Sequence, residues 1–329
     1  MSMSPLFSPG ACEVSAGAAR VLAAAGIDPA LFFTRHASGD WGEAPNWLRT
    51  DNDRAARLER HSHALCSHFT LDGQKELRIV TAPARSRSLL LLAEEYETRE
   101  VSVRDGYALW AASYENPNPL IAVEEPVVER ILAALPRVGA AIDVGTGTGR
   151  LARKLARDRA ASVLGVDTTP EMLAVARTLA EQEGLHNLQF TQTELGREPL
   201  PAASDTFDLL TCGLMLCHLP DLRASVRECV RVVRPGGWLL ASDFHPATQR
   251  FGWRTDFITP EARLLLPNTP NTRRGYLDAF TEAGCVIAEA HDIALDGAPY
   301  GDVSDTAIAA KNLPPLCLVV LARKEPAAP

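Results

Sequence analysis

From about residue 120 onward, short apolar runs alternate with longer stretches in which apolar residues recur every three or four positions, the pattern of strands and helices taking turns. The runs predict seven strands, at Ala140–Val144, Ser162–Val166, Leu188–Thr191, Phe207–Cys212, Trp238–Asp243, Cys285–His291 and Cys317–Arg323. Between them the periodicity predicts helices at Arg150–Arg157, Pro170–Gln182, Leu222–Val232 and Gly275–Ala283, with Pro170 suited to a first helical turn and Gly284 to a stop. Strand, helix, strand in that order predicts a doubly wound α/β sheet. Residues 244–273 and 292–314 break the alternation; they are punctuated by Pro and Gly and read as long loops of the kind that cover or contact a substrate.

The first hundred residues carry another pattern. A helical stretch, Glu13–Ala25, leads through GIDPALFFTRHASGDWGE to an Arg-rich helix expected over Asp53–His68, and then to strand-like runs in KELRIVTAP and RSLLLLAEEY. That is the outline of a small α+β domain. The charged stretch EEYETREVSVRDGY, residues 94–107, is the expected seam, dividing the chain into residues 1–100 and 101–329; a length of 329 residues suits two domains.

Composition narrows the class. Apolar residues at 46% and charged residues at 22% are ordinary for a globular protein, which argues against disorder. A net charge of −8 and only four lysines leave no polybasic run to neutralise a phosphate backbone, so a nucleic-acid substrate is disfavoured. The seven cysteines are odd in number and form no CxxC pair, so reduced thiols are expected rather than a disulfide framework. With no leader-like start and no apolar run of the roughly 20 residues that span a bilayer, a cytoplasmic, non-membrane protein is expected.

The densest chemical signal is AIDVGTGTGR, residues 141–150, with Gly145, Gly147 and Gly149 directly behind Asp143. Glycines this close together after a strand admit a ligand close to the backbone. A dinucleotide loop reads GxGxxG, whereas Arg150 stands here where the third, packing glycine would be. A carboxylate at Asp143 would also be expected to repel two phosphates in a poorly hydrated crevice. A cationic ligand without phosphate reverses that sign, and S-adenosylmethionine, with a sulfonium and an ammonium, is one. In GVDTTPEML, Asp167 follows Asp143 by 24 positions, where an acid can accept both ribose hydroxyls. In FTQTEL, Glu194 can meet an adenine amino group with Leu195 beside the ring.

Together IDVGTGTGR, GVDTTPEMLAVAR, EPLPAASDTFDLL, LMLCHL and RVVRPGGWLL resemble the class I S-adenosylmethionine-dependent methyltransferases over residues 107–291. The resemblance implies a Rossmann-like seven-stranded sheet in the order 3214576, its last strand antiparallel, with S-adenosyl-L-methionine as cofactor at the carboxyl ends of the first strands. Carried over by position, it implies cofactor contacts from Asp143, Gly145, Thr146 and Gly147, from Asp167, Thr168 and Met172, and from Glu194, Leu195 and Cys212. The family more often has Asp at the adenine position, so Thr193 or Leu195 stands as an alternative to Glu194. Upstream, YALWAASYENPNPL is similar to a segment that covers the cofactor, with Tyr114 as the lid residue and Tyr107 and Trp110 beside it, where aromatic faces attract a sulfonium.

Methyl transfer from a sulfonium needs alignment, and a base only when the acceptor arrives protonated. The candidates near strand ends are His218 in LMLCHL and Asp243 and His245 in SDFHP, each of which could instead be structural. Nothing in their spacing demands a metal. His61, His63 and His68 would stand on the Arg-rich helix, His61 and His68 roughly 10 Å apart, too far to share an ion.

Residues 8–96 resemble small, uncharacterised, often plasmid-associated bacterial proteins in SPGACEV, AGIDPALFFTRHASGDWGE and LLLLAEEY, without an implied activity. Within them Arg35, His36, Asp40, Trp41 and Glu43 cluster; an internally paired, Trp-anchored loop is expected rather than a site. The functional expectation is a methyltransferase acting on a small or medium-sized acceptor. Its rivals are a non-catalytic cofactor-binding regulator and a nicotinamide-dependent oxidoreductase. A homodimer, or a partner protein held by the first domain, is left open.

Overall fold

In a computed structural model of the chain, the structure describes residues 5–57, 64–71, 73–82, 85–115 and 118–326. Two units are distinguished: one from residues 1–101, 113–117 and 256–266, the other from 102–112, 118–255 and 267–329. Elements are numbered in chain order.

In the first unit, β1 (Ala11–Val14), α1 (Ala16–Ala25), α2 (Ala30–Ala37) and α3 (Asn46–Arg57) precede β2 (Leu65–Leu71), β3 (Lys75–Thr81), β4 (Arg87–Leu92) and β5 (Glu97–Glu100). Ser15 interrupts the helix expected from Glu13: its hydroxyl accepts the Ala18 N–H as an N-cap, which leaves residues 11–14 to pair as a strand. The sheet runs β1-β4-β3-β2, with β1 parallel to β4 and the other pairs antiparallel. Leu22, Phe69, Ile79 and Leu90 form one apolar cluster, and Trp41, Leu48, Val80 and Leu91 another. Neighbouring residues 79 and 80, and 90 and 91, thus serve opposite faces, as strand geometry requires.

The helix expected over Asp53–His68 is corrected. α3 runs from Asn46 to Arg57, and Leu65–Leu71 is strand β2, almost wholly buried and paired with β3. Burial against a sheet overrode local helical propensity there. His61 and His63 lie outside the described residues, and His68 stands on β2 opposite Arg78. The cluster at residues 35–43 is internally paired. Arg35 binds Asp40 at 2.7 Å, and the Trp41 indole N–H donates to Asp53 at 2.8 Å.

His36 is wholly buried between two hydroxyls, Ser67 at 2.6 Å and Thr81 at 2.7 Å. Burial, reinforced by Arg85, pushes its imidazole down to about 3. Between that value and the ordinary 6.5 an unfolded chain takes up a proton that the fold refuses. The stability is therefore fully present above pH 6.5 and falls as pH drops toward 3. Lowering the pH from 6.5 to 4.5 should remove about 2 kcal/mol from this unit through His36 alone. Hydrogen exchange at the β3 amides checks this; His36→Gln, though less stable at neutral pH, should show a shallower acid slope.

A second, three-stranded sheet in this unit pairs β5 with later residues: β11 (Asp256–Ile258) is antiparallel to β12 (Ala262–Leu265), and β12 is parallel to β5. The expected long loop 244–273 therefore contains a hairpin. The other, 292–314, contains a short helix, named below.

The second unit holds α4 (Val103–Trp110), α5 (Pro119–Ala134), β6 (Val138–Val144), α6 (Arg150–Asp158), β7 (Ala160–Asp167), α7 (Pro170–Gln182), β8 (Leu188–Gln192), β9 (Phe207–Gly213), α8 (Leu222–Val232) and β10 (Val233–Phe244). It ends with α9 (Arg273–Glu282), β13 (Cys285–Ile293), α10 (Asp305–Lys311) and β14 (Cys317–Lys324). Its sheet runs β13-β14-β10-β9-β6-β7-β8. β14 is antiparallel to both its neighbours, and β6, β7, β8, β9 and β10 are mutually parallel. In strand-succession terms that is 3214576 with the last strand reversed. Residues 142, 210, 239 and 320 pack on one face, and 141, 209, 240 and 319 on the other. A sheet covered on both faces explains the unbroken apolar runs. The strand order reverses between β6 and β9, and the crevice at the carboxyl ends of those strands is where such sheets bind ligands.

Candidate functional site

Between β6 and α6 the chain turns through Gly145, Gly147 and Gly149 with φ of +68°, +55° and +85°. Side chains rarely adopt these values, so glycine is required by the backbone itself. A Cβ at Gly145 would also sit 2.5 Å from the Met215 side chain. Gly149 is the N-cap of α6 and has no side chain to cap with. Asp143 supplies what it lacks: its Oδ2 accepts the Ala152 N–H at 3.2 Å and the Thr146 hydroxyl at 2.6 Å, while Oδ1 accepts the Thr211 hydroxyl at 2.6 Å.

This corrects the expectation that Asp143 faces the ligand. It is 2% exposed, and burial pushes its carboxyl up to about 6 against the hydrogen bonds from Thr146 and Thr211. The carboxylate shapes the turn from beneath, so its repulsion of phosphates is no argument against a dinucleotide. Thr146 likewise spends its hydroxyl on Asp143 and its N–H on the Val166 carbonyl.

Asp167, at the end of β7, is half-buried. Its Oδ2 accepts the Gly147 N–H and its Oδ1 the Thr169 N–H, each at 2.8 Å. The Thr169 hydroxyl and the Thr168 amide also draw on this carboxylate, which joins the glycine turn to β7 in one set. Burial raises this carboxyl too, with the Thr169 and Gly147 amides pulling it back. Thr168 is half-buried beside it. An acid in this position beside a glycine turn fits the ribose of a nucleoside. If Asp167 holds it, Asp167→Ala should weaken S-adenosylhomocysteine binding by ~10- to 100-fold, the worth of one charge-assisted hydrogen bond. Calorimetry checks this, and an unchanged Kd would remove Asp167 from the site.

Glu194 lies partly exposed after β8. Its carboxylate pairs with Arg197 at 3.2 Å and is 43% exposed, and the structure does not join it to Asp167. Leu195 and Thr193 are buried next to it, and the Thr193 N–H donates to the Asp167 carbonyl. Met172 and Cys212, each 1% exposed, are packing residues in α7 and β9. Tyr114 lies in the segment 113–117 that groups with the first unit.

Of the candidate bases, two are spent on structure. His245 is 2% exposed; Nδ1 accepts the Ala247 N–H, capping the turn Pro246–Phe251, and Nε2 meets Asp292 at 3.0 Å, which also takes Arg273. Asp243 is 1% exposed; Oδ2 accepts the Cys217 N–H at 2.6 Å and the Tyr276 hydroxyl at 2.7 Å, and Oδ1 the Phe244 N–H. The expectation of a base or substrate ligand at these two is corrected.

His218 differs. It lies on a short turn after β9, only half-buried. Its Nδ1 is 2.8 Å from the Pro267 carbonyl, which can only accept, so Nδ1 carries the proton. Nε2 then presents a lone pair, met at 2.9 Å by the Tyr107 hydroxyl. The Tyr107 ring stands edge-on to the imidazole and is stacked on Trp110 at 5.9 Å. Burial lowers the His218 pKa, opposed by the Pro267 carbonyl and Asp243.

Glu124 was not anticipated as part of this region. It is 0% exposed on α5 and accepts from Arg150 at 2.6 Å and from Ser242, so the Arg in the third-glycine position belongs to a buried ion pair. Nothing local in PLIAVEEPVVER distinguishes Glu124 from Glu125. Among the described residues no group of three His, Cys, Asp or Glu could hold a metal, and no single helix is long and apolar enough to cross a membrane.

A model of the methyltransferase domain matches residues 142–241. The ubiquinone biosynthesis O-methyltransferase of Acinetobacter baumannii strain AYE is 39% identical over 101 residues, 31% of this chain and 42% of that protein. The enzyme of the same name from Xylella fastidiosa is 32% identical over 155 residues, 45% of this chain and 61% of that protein. The chain thus spans less than two thirds of these relatives. A solved complex of the Haloferax volcanii Trm112 methyltransferase activator with a methyltransferase gives a TM-score of 0.50 at 21% identity, covering 68% of this chain and 99% of that one, which shows the fold. With the 3214576 sheet and the glycine turn on β6, the match shows residues 142–241 to be similar to a methyltransferase domain, on a sheet of the class I S-adenosylmethionine-dependent methyltransferase order.

Proposed function

We propose that the protein transfers a methyl group from S-adenosylmethionine to a hydroxyl of a small aromatic acceptor, with His218 as the base. The observation that carries this reading is the His218 arrangement: a neutral imidazole, its tautomer set by a carbonyl, holding a phenolic hydroxyl on its free nitrogen inside an aromatic pair. The acceptor hydroxyl would take the place of Tyr107 on Nε2. The relatives that bear an O-methyltransferase name support oxygen as the acceptor atom.

When bound, S-adenosylmethionine supplies an electrophilic methyl carbon; the oxygen–carbon bond forms as the carbon–sulfur bond breaks, and the electron pair leaves with sulfur. His218 Nε2 takes the hydroxyl proton as that bond forms, and the Pro267 carbonyl steadies the resulting imidazolium through Nδ1–H. Asp167 and the glycine turn hold the nucleoside, and Asp143 keeps the turn rigid. The rest of the rate comes from alignment. Incubation with methyl-labelled cofactor and a panel of catechols and phenols, alongside aliphatic amines and thiols, tests this. Label on a phenolic oxygen is expected. Tight S-adenosylhomocysteine binding with no label transferred to any acceptor would instead favour a cofactor-binding regulator.

A further inference from the structure

The Tyr107 hydroxyl sits on the one nitrogen that the proposed reaction needs, so Tyr107 and an acceptor compete for a single place. Every group around that place belongs to the second unit: Tyr107 and Trp110 on α4, His218 on the turn after β9, and Pro267. What Tyr107 puts there is a complete phenol. Its hydroxyl is 2.9 Å from Nε2, and its ring stands edge-on to the imidazole, centroids 5.5 Å apart at 81°. Its face lies almost parallel to the Trp110 ring, at 5.9 Å and 10°. The pair follows from spacing, because residues three apart on a helix share a face. Edge-on and offset-stacked contacts are also the arrangements aromatic rings prefer. Trp110 and His218 are thus two walls of a slot, and the resident tyrosine fills it.

We propose that Tyr107 is an internal stand-in for the acceptor, acting as a gate, and that Trp110 is the specificity residue on which the acceptor ring stacks once Tyr107 has turned away. This rests on the reading of His218 as the base. α4 is seated shallowly, with only Gly106 of its eight residues buried and Tyr107 half-buried. A helical aromatic side chain has two staggered χ1 positions open to it, so rotation about Cα–Cβ carries the Tyr107 ring out while Trp110 stays in place.

The competition also selects. A phenol recovers both the hydrogen bond to Nε2 and the stack on Trp110 that Tyr107 gives up. An aliphatic alcohol recovers only the first, and toluene only the second. Acceptor affinity is lowered by the fraction of time the gate is shut, and that cost is returned in full only to an aromatic hydroxyl.

The experiment uses the full chain saturated with S-adenosylhomocysteine, whose own heat of binding first certifies that each variant is folded. The heats of binding of phenol, cyclohexanol and toluene are then compared. Phenol is the group that Tyr107→Ala deletes, and it should bind that variant about 10-fold more tightly than it binds the native chain. In the 15N-histidine-labelled variant, phenol should return the His218 Nε2 resonance to its native position. Adding Trp110→Ala should weaken phenol by about 10-fold and abolish its advantage over cyclohexanol and toluene, and Trp110→Phe should restore most of both. Should the alanine variant not fold, Tyr107→Phe, which loses only the hydroxyl, should still bind phenol about 3-fold more tightly than the native chain. Equal phenol affinity in the native chain and the Tyr107 variants, or a phenol preference untouched by Trp110→Ala, overturns the proposal. These heats need no turnover, so the two readings fail separately: native kcat in His218→Gln would remove the base and leave the slot standing.

Discussion

His218→Gln is expected to lower kcat for methyl transfer to a phenolic acceptor by between about 10²- and 10⁴-fold, the range of a lost general base. The argument is geometric before it is electrostatic. Nδ1–H is committed to the Pro267 carbonyl, so the only basic nitrogen is Nε2, and that nitrogen already faces a hydroxyl at 2.9 Å. Glutamine can hydrogen-bond there but cannot take the proton. Burial moves the His218 pKa down from 6.5, Pro267 and Asp243 only partly restoring it. The base is neutral, and active, above its pKa. Log kcat should therefore rise with pH through an apparent value below 6.5 and stay flat to neutrality. That limb should vanish in His218→Gln and survive in Tyr107→Phe, which removes the resident hydroxyl and leaves the base. S-adenosylhomocysteine affinity should be unchanged in both. A His218→Gln enzyme with native kcat would leave proximity alone to explain catalysis.

Glu124→Ala should destabilise the second unit by about 3–5 kcal/mol, the cost of removing one partner of a buried ion pair. Glu124 is completely buried, and its carboxylate binds the Arg150 guanidinium on one oxygen and the Ser242 hydroxyl on the other. Truncation takes away the carboxylate that faces the Arg150 guanidinium at 2.6 Å. Thermal unfolding should begin roughly 10 °C lower. The paired change Glu124→Leu with Arg150→Met removes both charges and should regain most of the loss, because a buried ion pair repays little more than its own desolvation. Failure of the double variant to recover would show that Arg150 serves something besides Glu124.

How much of this was legible beforehand depended on distance along the chain. The helix Pro170–Gln182 reads off its first proline, and Leu222–Val232 off its apolar period, because caps and amphipathic spacing are local properties. The strands of the large sheet read as apolar runs because both faces are covered. Leu65–Leu71 did not, since a strand of mixed Leu, Cys, Ser and His following an Arg-rich helix looks like its continuation until β3 pairs with it. The glycine turn and Asp167 were identifiable by spacing. Asp143, Asp243 and His245 were misjudged for one shared reason: a titratable residue at a strand end looks the same in sequence whether its hydrogen bonds are free for a ligand or already taken.

The sequence by itself determined the order and type of most elements of the large sheet, the strand that ends in the glycine turn, and the acid that follows it on the next strand, because period, glycine and proline act over a few residues. The tertiary structure alone decided which charged groups are spent on the fold and which remain for chemistry. Arg150 meets Glu124 across 26 positions, His218 meets Pro267 across 49 and Tyr107 across 111. Whether an acid or an imidazole is saturated depends on donors brought from such distances, and no local pattern encodes them.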